Sequence, residues 1–119
     1  MLQTIHELRW RLEVYITMGS RLNLQKELEE LIGNKNVYYQ PPTNTQINYD
    51  CIIYNQRRPD VKRADNLAYT YTHAYDITII SKSPTFDLAE RMIKHFQMCS
   101  FDRFYIADNL NHWTLTLYY

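Results

Sequence analysis

The stretch NYDCIIYNQRRPDVKRADNLAYTYTHAYDITIISKSP, residues Asn48–Pro84, decides how this chain folds. Its first part, Tyr49–Tyr54, is a compact apolar run typical of a buried β-strand. Its last part, Ala68–Ile80, alternates over a dozen residues and predicts a second strand. At about 3.3 Å per residue that strand is near 40 Å long, beyond the usual 17–20 Å, so we expect it to project from its sheet. The connector between them, Arg57–Asn66, is crowded with charge and is expected to be held out at one end of the sheet.

Two helices are predicted before this stretch and one after it. The first covers Leu2–Met18, where apolar residues recur at steps of three and four. The second begins near Asn23, a good N-cap, and ends at Gly33. The third is predicted to begin with Ser83 as N-cap and Pro84 at the first helical position. The apolar stripe of the first helix consists of Ile5, Leu8, Leu12 and Tyr15/Ile16.

Two further features complete the predicted fold. Val37–Tyr39 precedes the prolines Pro41 and Pro42, so any strand there must be short. A closing hairpin is predicted from Arg103–Ala107 and His112–Tyr119 around a turn at Asp108 and Asn109. We therefore expect one α+β domain over residues 1–119, with an antiparallel or mixed sheet of about four strands. Helices should pack on one face, in the order α-α-β-β-α-β-β.

Composition limits the possible functions. The 119 residues include 13 basic and 13 acidic side chains, and this balance argues against a protein whose main task is to coat nucleic acid. The eleven tyrosines suit half-buried sheets and protein interfaces alike. The N-terminal segment MLQTIHELRWRLEVYITM carries charges within its apolar pattern, so we expect neither a signal peptide nor a membrane span.

The chain shows no pattern of residues typical of catalysis. His6, His73, His95 and His112 lie on four different predicted elements, and none shares a metal-ligand spacing with a Cys, Asp or Glu. With only two glycines there is no phosphate-binding loop. Cys51 and Cys99 are predicted to be reduced thiols that pack as small apolar groups. We expect no enzymatic activity, no metal and no cofactor.

The charged connector allows three interpretations. Its charged side chains are Arg57, Arg58, Asp60, Lys62, Arg63 and Asp65. They could belong to a solvated hairpin loop, to a nucleic-acid contact or to a protein-docking surface. Arginine pairs with carboxylates as well as with phosphates, so the residue types alone do not choose. The two aspartates favour a protein partner.

The tyrosines of the long predicted strand are equally open to interpretation. Tyr69, Tyr71 and Tyr75 share one face, as do the aromatic residues of a platform that stacks single-stranded nucleic acid. The same pattern is typical of residues packed on helices or on a neighbouring subunit.

Three segments together resemble a known family. PPTNTQINYDCIIY (Pro41–Tyr54), YDITIISKSP (Tyr75–Pro84) and the closing DNLNHWTLTLYY (Asp108–Tyr119) occur in the order typical of the tail terminator, or tail completion, proteins of long-tailed bacteriophages. This is the family that includes the terminator of phage lambda. The resemblance is strongest over Pro41–Tyr119, and its motifs are structural. Asp50 departs from the pattern, because many relatives have proline there.

The resemblance implies a structural virion protein without catalysis or cofactor. Tail terminators are small α/β proteins that form a hexameric ring on the head-proximal end of the tail tube, after assembly in the host cytoplasm. The ring stops tube polymerisation and docks to the head-completion or stopper protein of the neck, and DNA passes through its lumen without sequence-specific contact. No membrane is involved.

The resemblance also suggests residue roles. In the family the loop between the two long strands faces the tail tube or a neighbouring ring, and it corresponds here to Arg57–Asn66. Subunit contacts are expected from Tyr69, Tyr71, His73, Tyr75, Trp113, Tyr118 and Tyr119. Two other functions remain open: a stopper protein of the neck, or a small nucleic-acid-binding module.

Overall fold

A computed structural model describes residues 21–57 and 73–119 of the chain. These residues form two helices and five strands, arranged as an α+β fold around one sheet. In chain order the elements are α1 (residues 21–32), β1 (Val37–Tyr39), β2 (Cys51–Gln56), β3 (Ala74–Ser81), α2 (Leu88–His95), β4 (Cys99–Ala107) and β5 (Leu110–Tyr118).

The sheet is mixed, with the strand order β1-β2-β3-β5-β4. The short β1 pairs in parallel with β2, and all the other neighbours are antiparallel. In the register Ile52 pairs with Ile79, and Ile79 pairs with Trp113. Because side chains alternate between the two faces of a strand, this register collects the large apolar residues on one face.

Both helices pack on that apolar face, as predicted. Leu24 and Leu28 of α1 and Leu88 and Met92 of α2 are fully buried against it. Burying an aliphatic side chain of this size contributes about 1.5–3 kcal/mol, so these contacts are the main force that holds the helices on the sheet. The sheet contributes Val37, Ile52, Tyr54, Tyr75, Ile77, Ile79, Leu115 and Leu117 to the same core.

The closing hairpin is confirmed. Asp108 and Asn109 form its two-residue turn with φ values of 54° and 62°. Such left-handed backbone at both central positions is what a tight hairpin turn requires, and Asp and Asn tolerate it better than other non-glycine residues. β4 begins four residues earlier than predicted, at Cys99, because its first residues continue to pair with β5.

The predicted start of the third helix is wrong. The helix α2 begins at Leu88, after Asp87, which makes no side-chain capping hydrogen bond. The hydroxyl of Ser83 instead accepts a hydrogen bond from the backbone N–H of Thr85, and the N–H of Ser83 donates to Ser81 Oγ. These local hydrogen bonds hold a turn where the Ser-Pro pair predicted a helix, because such side chains compete with helical hydrogen bonding.

Other details of the predicted order also differ. The sheet has five strands instead of about four, because Val37–Tyr39 forms a true strand beside β2. The strand predicted at Tyr49–Tyr54 lies two residues later in the chain. Of the long strand predicted for Ala68–Ile80, the described part is Ala74–Ser81. Residues 68–72, like the helix predicted for Leu2–Met18, lie outside the described residues.

Candidate functional site

The edge strand β4 is the most exposed element of the sheet. Among the described strands it pairs only with β5, so the outer side of its nine-residue backbone has no strand neighbour. Phe101, Phe104 and Ile106 lie on the same face of the sheet as the helices, yet they are 47%, 44% and 66% exposed. A long edge with exposed apolar side chains is a surface that natural proteins usually cover with another chain or element.

The helices leave this strand open because they are tied to each other. Arg91 of α2 donates a hydrogen bond through Nη1 to the backbone carbonyl of Leu31, 2.9 Å away. His95 Nε2 lies 2.9 Å from Glu27 Oε1 of α1. These contacts hold α2 beside α1, and the apolar side chains of β4 are only partly covered by α2.

A groove runs between α2 and this open strand. We call it the α2–β4 groove; it encloses about 380 Å³ and is lined by Pro84, Thr85, Phe86, Asp87, Ala89, Glu90, Ile93, Phe101 and Trp113. The Trp113 ring lies on its floor, with ring centroids 6.4 Å from Phe86 and 5.2 Å from Phe104. Ile93, which is 38% exposed, forms part of the α2 wall. The groove is thus apolar inside, with the carboxylates of Asp87 and Glu90 on one wall.

The opposite face of the sheet carries a polar network. Arg57 forms an ion pair with Asp76, and its Nη2 lies 3.2 Å from Thr116 Oγ1. Thr116 in turn donates a hydrogen bond of 2.7 Å to Asp102 Oδ2. The hydrogen bond to Asp76 and the charge of its carboxylate raise the pKa of Arg57. These four residues link the end of the chain segment that follows β2 to β3, β5 and β4 across one face.

An aromatic stack lies further along this polar face. The Arg103 guanidinium lies 4.7 Å from the ring centroid of Tyr105, and that ring stacks on His112 at 4.6 Å with an interplanar angle of 12°. An arginine placed over an aromatic ring is stabilised by the attraction between its positive charge and the quadrupole of the ring.

The base of the charged connector is firmly anchored. The N–H of Arg57 donates to the carbonyl of Ala74 at 2.7 Å, which closes the β2–β3 ladder. Gln56 Nε2 lies 3.1 Å from His73 Nδ1, and the Tyr39 hydroxyl donates to Gln56 Oε1 at 3.4 Å. The strand ends on either side of residues 58–72 are therefore held together by hydrogen bonds.

The predicted connector surface is only partly described. Arg57 belongs to the polar network. The other predicted contact residues, Arg58, Asp60, Lys62, Arg63 and Asp65, lie outside the described residues. Their role remains a prediction.

The predicted subunit-contact residues that the structure describes do not form one surface. Tyr75 is only 2% exposed, so its assignment to a subunit interface is corrected. Its side chain alternates onto the helix face of the sheet and packs in the core against Tyr54, with ring centroids 5.9 Å apart. Trp113 lies in the α2–β4 groove, and Tyr118 is 43% exposed on the polar face. Tyr69 and Tyr71 lie outside the described residues.

The C-terminal Tyr119 is held within the chain. Its backbone exchanges two hydrogen bonds with His73, of 2.9 and 3.1 Å. Its hydroxyl donates to Glu27, and its ring packs edge-on against Phe96 with centroids 6.0 Å apart. Burial, the hydrogen bond and the Glu27 charge raise the pKa of Tyr119 to about 12.

The groove and the exposed residues of β4 were not predicted from the sequence. Phe101 and Phe104 are three residues apart, which in a regular strand would place them on opposite faces. A register shift between Phe101 and Arg103 brings both to the same face. Because of the bulge, the apolar residues of β4 do not alternate regularly along the sequence. The only signal of an apolar surface was the number of large apolar residues in CSFDRFYIA, residues Cys99–Ala107.

The remaining reactive groups show no converging chemistry. Within residues 21–57 and 73–119, no three His, Cys, Asp or Glu side chains come together as a metal site would require. Cys51 and Cys99 are free thiols, and burial raises the pKa of Cys51 to about 12 and that of Cys99 to about 11. No helix among the described residues is long and apolar enough to span a membrane.

Comparisons with known proteins identify no relative: no protein-family model, no curated protein and no solved structure matches this chain.

Proposed function

We propose that this chain is a structural subunit of a hexameric ring that caps the head-proximal end of the tail tube of a long-tailed bacteriophage. The ring stops tube polymerisation and provides the surface to which the head is joined. The order of sequence motifs over Pro41–Tyr119 suggests this function. The exposed edge of the sheet is the structural observation that supports it.

The exposed edge at β4 supports a ring because the two edges of the sheet, β1 and β4, have different surfaces. At one flank β1 has three residues, and the Gln25 side chain of α1 donates to the Val37 carbonyl at 3.1 Å. At the other flank β4 has nine residues and the apolar groove beside it. Two unlike flanks suit head-to-tail contacts, which generate a closed ring when the rotation between subunits closes.

The charged connector supplies the second contact of this proposal. In the proposed ring, Arg58, Lys62 and Arg63 face carboxylates of the tail tube protein or of a neighbouring subunit. The strand ends at Gln56 and His73, from which this connector starts and to which it returns, are held together by a side-chain contact of 3.1 Å. A fixed base reduces the entropy that is lost when a loop binds its partner.

The burial of Tyr75 weighs against the nucleic-acid-binding alternative. A stacking platform of Tyr69, Tyr71 and Tyr75 needs exposed rings, and Tyr75 is a core residue. In the proposed ring, DNA passes through the lumen without sequence-specific contact, as the family resemblance suggests.

Disruption of the gene in its own phage tests the proposal. Without the chain, tail tubes should exceed their normal length and should fail to join heads, and supplying the unmodified chain in trans should restore both. Loss of a neck stopper would instead leave tails of normal length that do not join heads. Normal tail length together with infectious particles in the disrupted phage would contradict the proposal.

A further inference from the structure

We infer that residues 2–18 of one subunit dock in the α2–β4 groove of the next subunit, so that neighbouring subunits are joined by an exchanged N-terminal segment. The inference rests on the proposed ring, and it names the partner that covers the open edge. We call residues 2–18 the exchanged segment.

The exchanged segment has the pattern that an apolar groove binds. Ile5, Leu8, Leu12 and Tyr15 follow at steps of three and four, and this spacing places them on one side of a helix. Amphipathic helices bind grooves through such anchors at i, i+3, i+4 and i+7. The groove offers Ile93, Phe101 and Trp113 as complementary apolar contacts, each of them at least partly exposed.

The charges at the margins of the two surfaces are complementary. Arg9 follows Ile5 by four residues and Arg11 follows Leu8 by three, so a helix would place both beside the apolar stripe, with Glu7 and Glu13 further from it. The α2 wall of the groove carries the carboxylates of Glu90 and Asp87, and the latter also pairs with Arg91. A basic margin against an acidic wall favours this segment over an acidic peptide.

The attachment point of the segment lies on the flank opposite to the groove. Arg21, the first described residue after it, donates to the Tyr54 hydroxyl of β2 at 3.3 Å, and its guanidinium lies 4.4 Å from the Tyr39 ring of β1. From β2 to β4 the sheet continues for three strand spacings, about 14 Å. The helices α1 and α2, bound to each other, fill the layer between.

Head-to-tail assembly removes the separation between the attachment point at Arg21 and an α2–β4 groove. When the β1 flank of one subunit adjoins the β4 flank of the next, the attachment point at Arg21 comes beside a neighbour's groove instead of its own. Twenty residues precede Arg21, and a helix of that length spans about 30 Å. The segment therefore has the length to cross the contact and cover the neighbour's β4.

Cross-linking between separately prepared chains tests the exchange. One chain carries Leu12→Cys and the other Ile93→Cys, and the two are mixed with tail tubes of the phage and treated with a mild oxidant. Both chains also carry Cys51→Ala and Cys99→Ala, so that a disulfide can form only between different chains. We expect a linked dimer at least about tenfold more abundant than with the control partner Ser100→Cys, whose side chain lies on the opposite face of β4. A second pair of variants, Leu8→Cys with Phe101→Cys, tests the same contact if one variant of the first pair does not fold.

Two results would contradict the exchange of the N-terminal segment without contradicting the proposed ring. One is an equal yield of linked dimer with Ile93→Cys and with the Ser100→Cys control on capped tubes. The other is a bond that forms only within a single chain carrying both Leu12→Cys and Ile93→Cys, since the segment would then cover its own groove. If the unmodified chain caps no tubes at all, the proposed function itself fails.

Discussion

Arg57 and Asp76 form an ion pair across β2 and β3, and this pair fixes the first residue of the charged connector to the polar face of the sheet. Both side chains are about half exposed, with side-chain exposures of 43% and 51%. Arg57 therefore differs from the connector residues that follow it, because its charge already has a partner within the chain.

Replacing Arg57 by alanine should lower the free energy of unfolding by less than about 1 kcal/mol, because exposed ion pairs are screened by water and salt. Urea unfolding of Arg57→Ala, Asp76→Asn and the double variant measures the coupling between the two side chains. Additive effects of the two single substitutions would show that the pair contributes nothing to stability.

Reversing Arg58, Lys62 and Arg63 to glutamate, with Arg57 retained, should abolish tube capping without changing the fold. Removing one partner of a partly desolvated ion pair costs about 2–5 kcal/mol, and six repeated contacts multiply the loss through avidity. Tube length measured by electron microscopy reports capping, and circular dichroism reports folding. A matched control reverses three lysines of the described part of the chain, Lys26, Lys82 and Lys94. If the connector variant still caps tubes of normal length, the connector is only a solvated loop.

The contact between Tyr119 and Glu27 should make stability fall at alkaline pH. The pKa of Tyr119 is raised to about 12, while an unfolded tyrosine has a pKa near 10. The unfolded chain then loses its proton first, so stability should decrease as the pH rises from about 10 to about 12. Tyr119→Phe should reduce this slope and should cost about 1 kcal/mol at neutral pH through the lost hydrogen bond. Tyr118→Phe, at the exposed neighbouring position, is the control; equal slopes in both variants and the unmodified chain would refute the assignment.

The same cluster contributes stability at acid pH through Glu27. Burial raises the pKa of Glu27, but hydrogen bonds from Tyr119 and His95 outweigh that effect, so the net pKa is lowered. A carboxyl group with a lowered pKa stabilises the fold above its unfolded pKa, near 4.5, and loses that contribution as the pH falls through the folded value. Glu27→Gln should therefore flatten the decline in melting temperature below about pH 4.5. An unchanged decline would mean that Glu27 titrates alike in both states.

The two thiols should react slowly in the folded protein. The raised pKa values of Cys51 and Cys99 leave little thiolate at pH 8, and Cys51 is fully buried. A chromogenic disulfide reagent should label both thiols rapidly in denaturant and should label the native chain at least about tenfold more slowly. Rapid labelling of the native chain would contradict the described burial.

Periodicity predicted the parts of the fold in which local pattern and tertiary packing agree. Alternation correctly predicted a strand through Ile77 and Ile79, and Asp108–Asn109 correctly marked the hairpin turn. The start of α2 was missed because Ser83 bonds locally to Thr85, and a sequence does not show which of two local hydrogen-bonding patterns prevails.

The candidate site was harder to predict because it consists of apolar side chains of β4 that the helices do not cover. Phe101 and Phe104 share a face only because of the bulge in β4, and their exposure follows from where α2 is held by Leu31 and Glu27. The opposite error was made for Tyr75. The sequence predicted this residue on a subunit interface, but it is buried in the core beneath the same helices. Exposure of this kind is set by packing between elements distant in sequence.

Imaging of tail tubes incubated with the purified chain tests the central claim most directly. Cryo-electron microscopy should show one ring of six copies at a single end of each tube, with the flank of β4 in each copy covered by its neighbour. In the proposed assembly the tube promotes ring formation, so the oligomeric state of the free chain in dilute solution does not test the claim. A ring of another symmetry at the tube end, or tubes whose ends carry no additional density at saturating protein, would contradict the account.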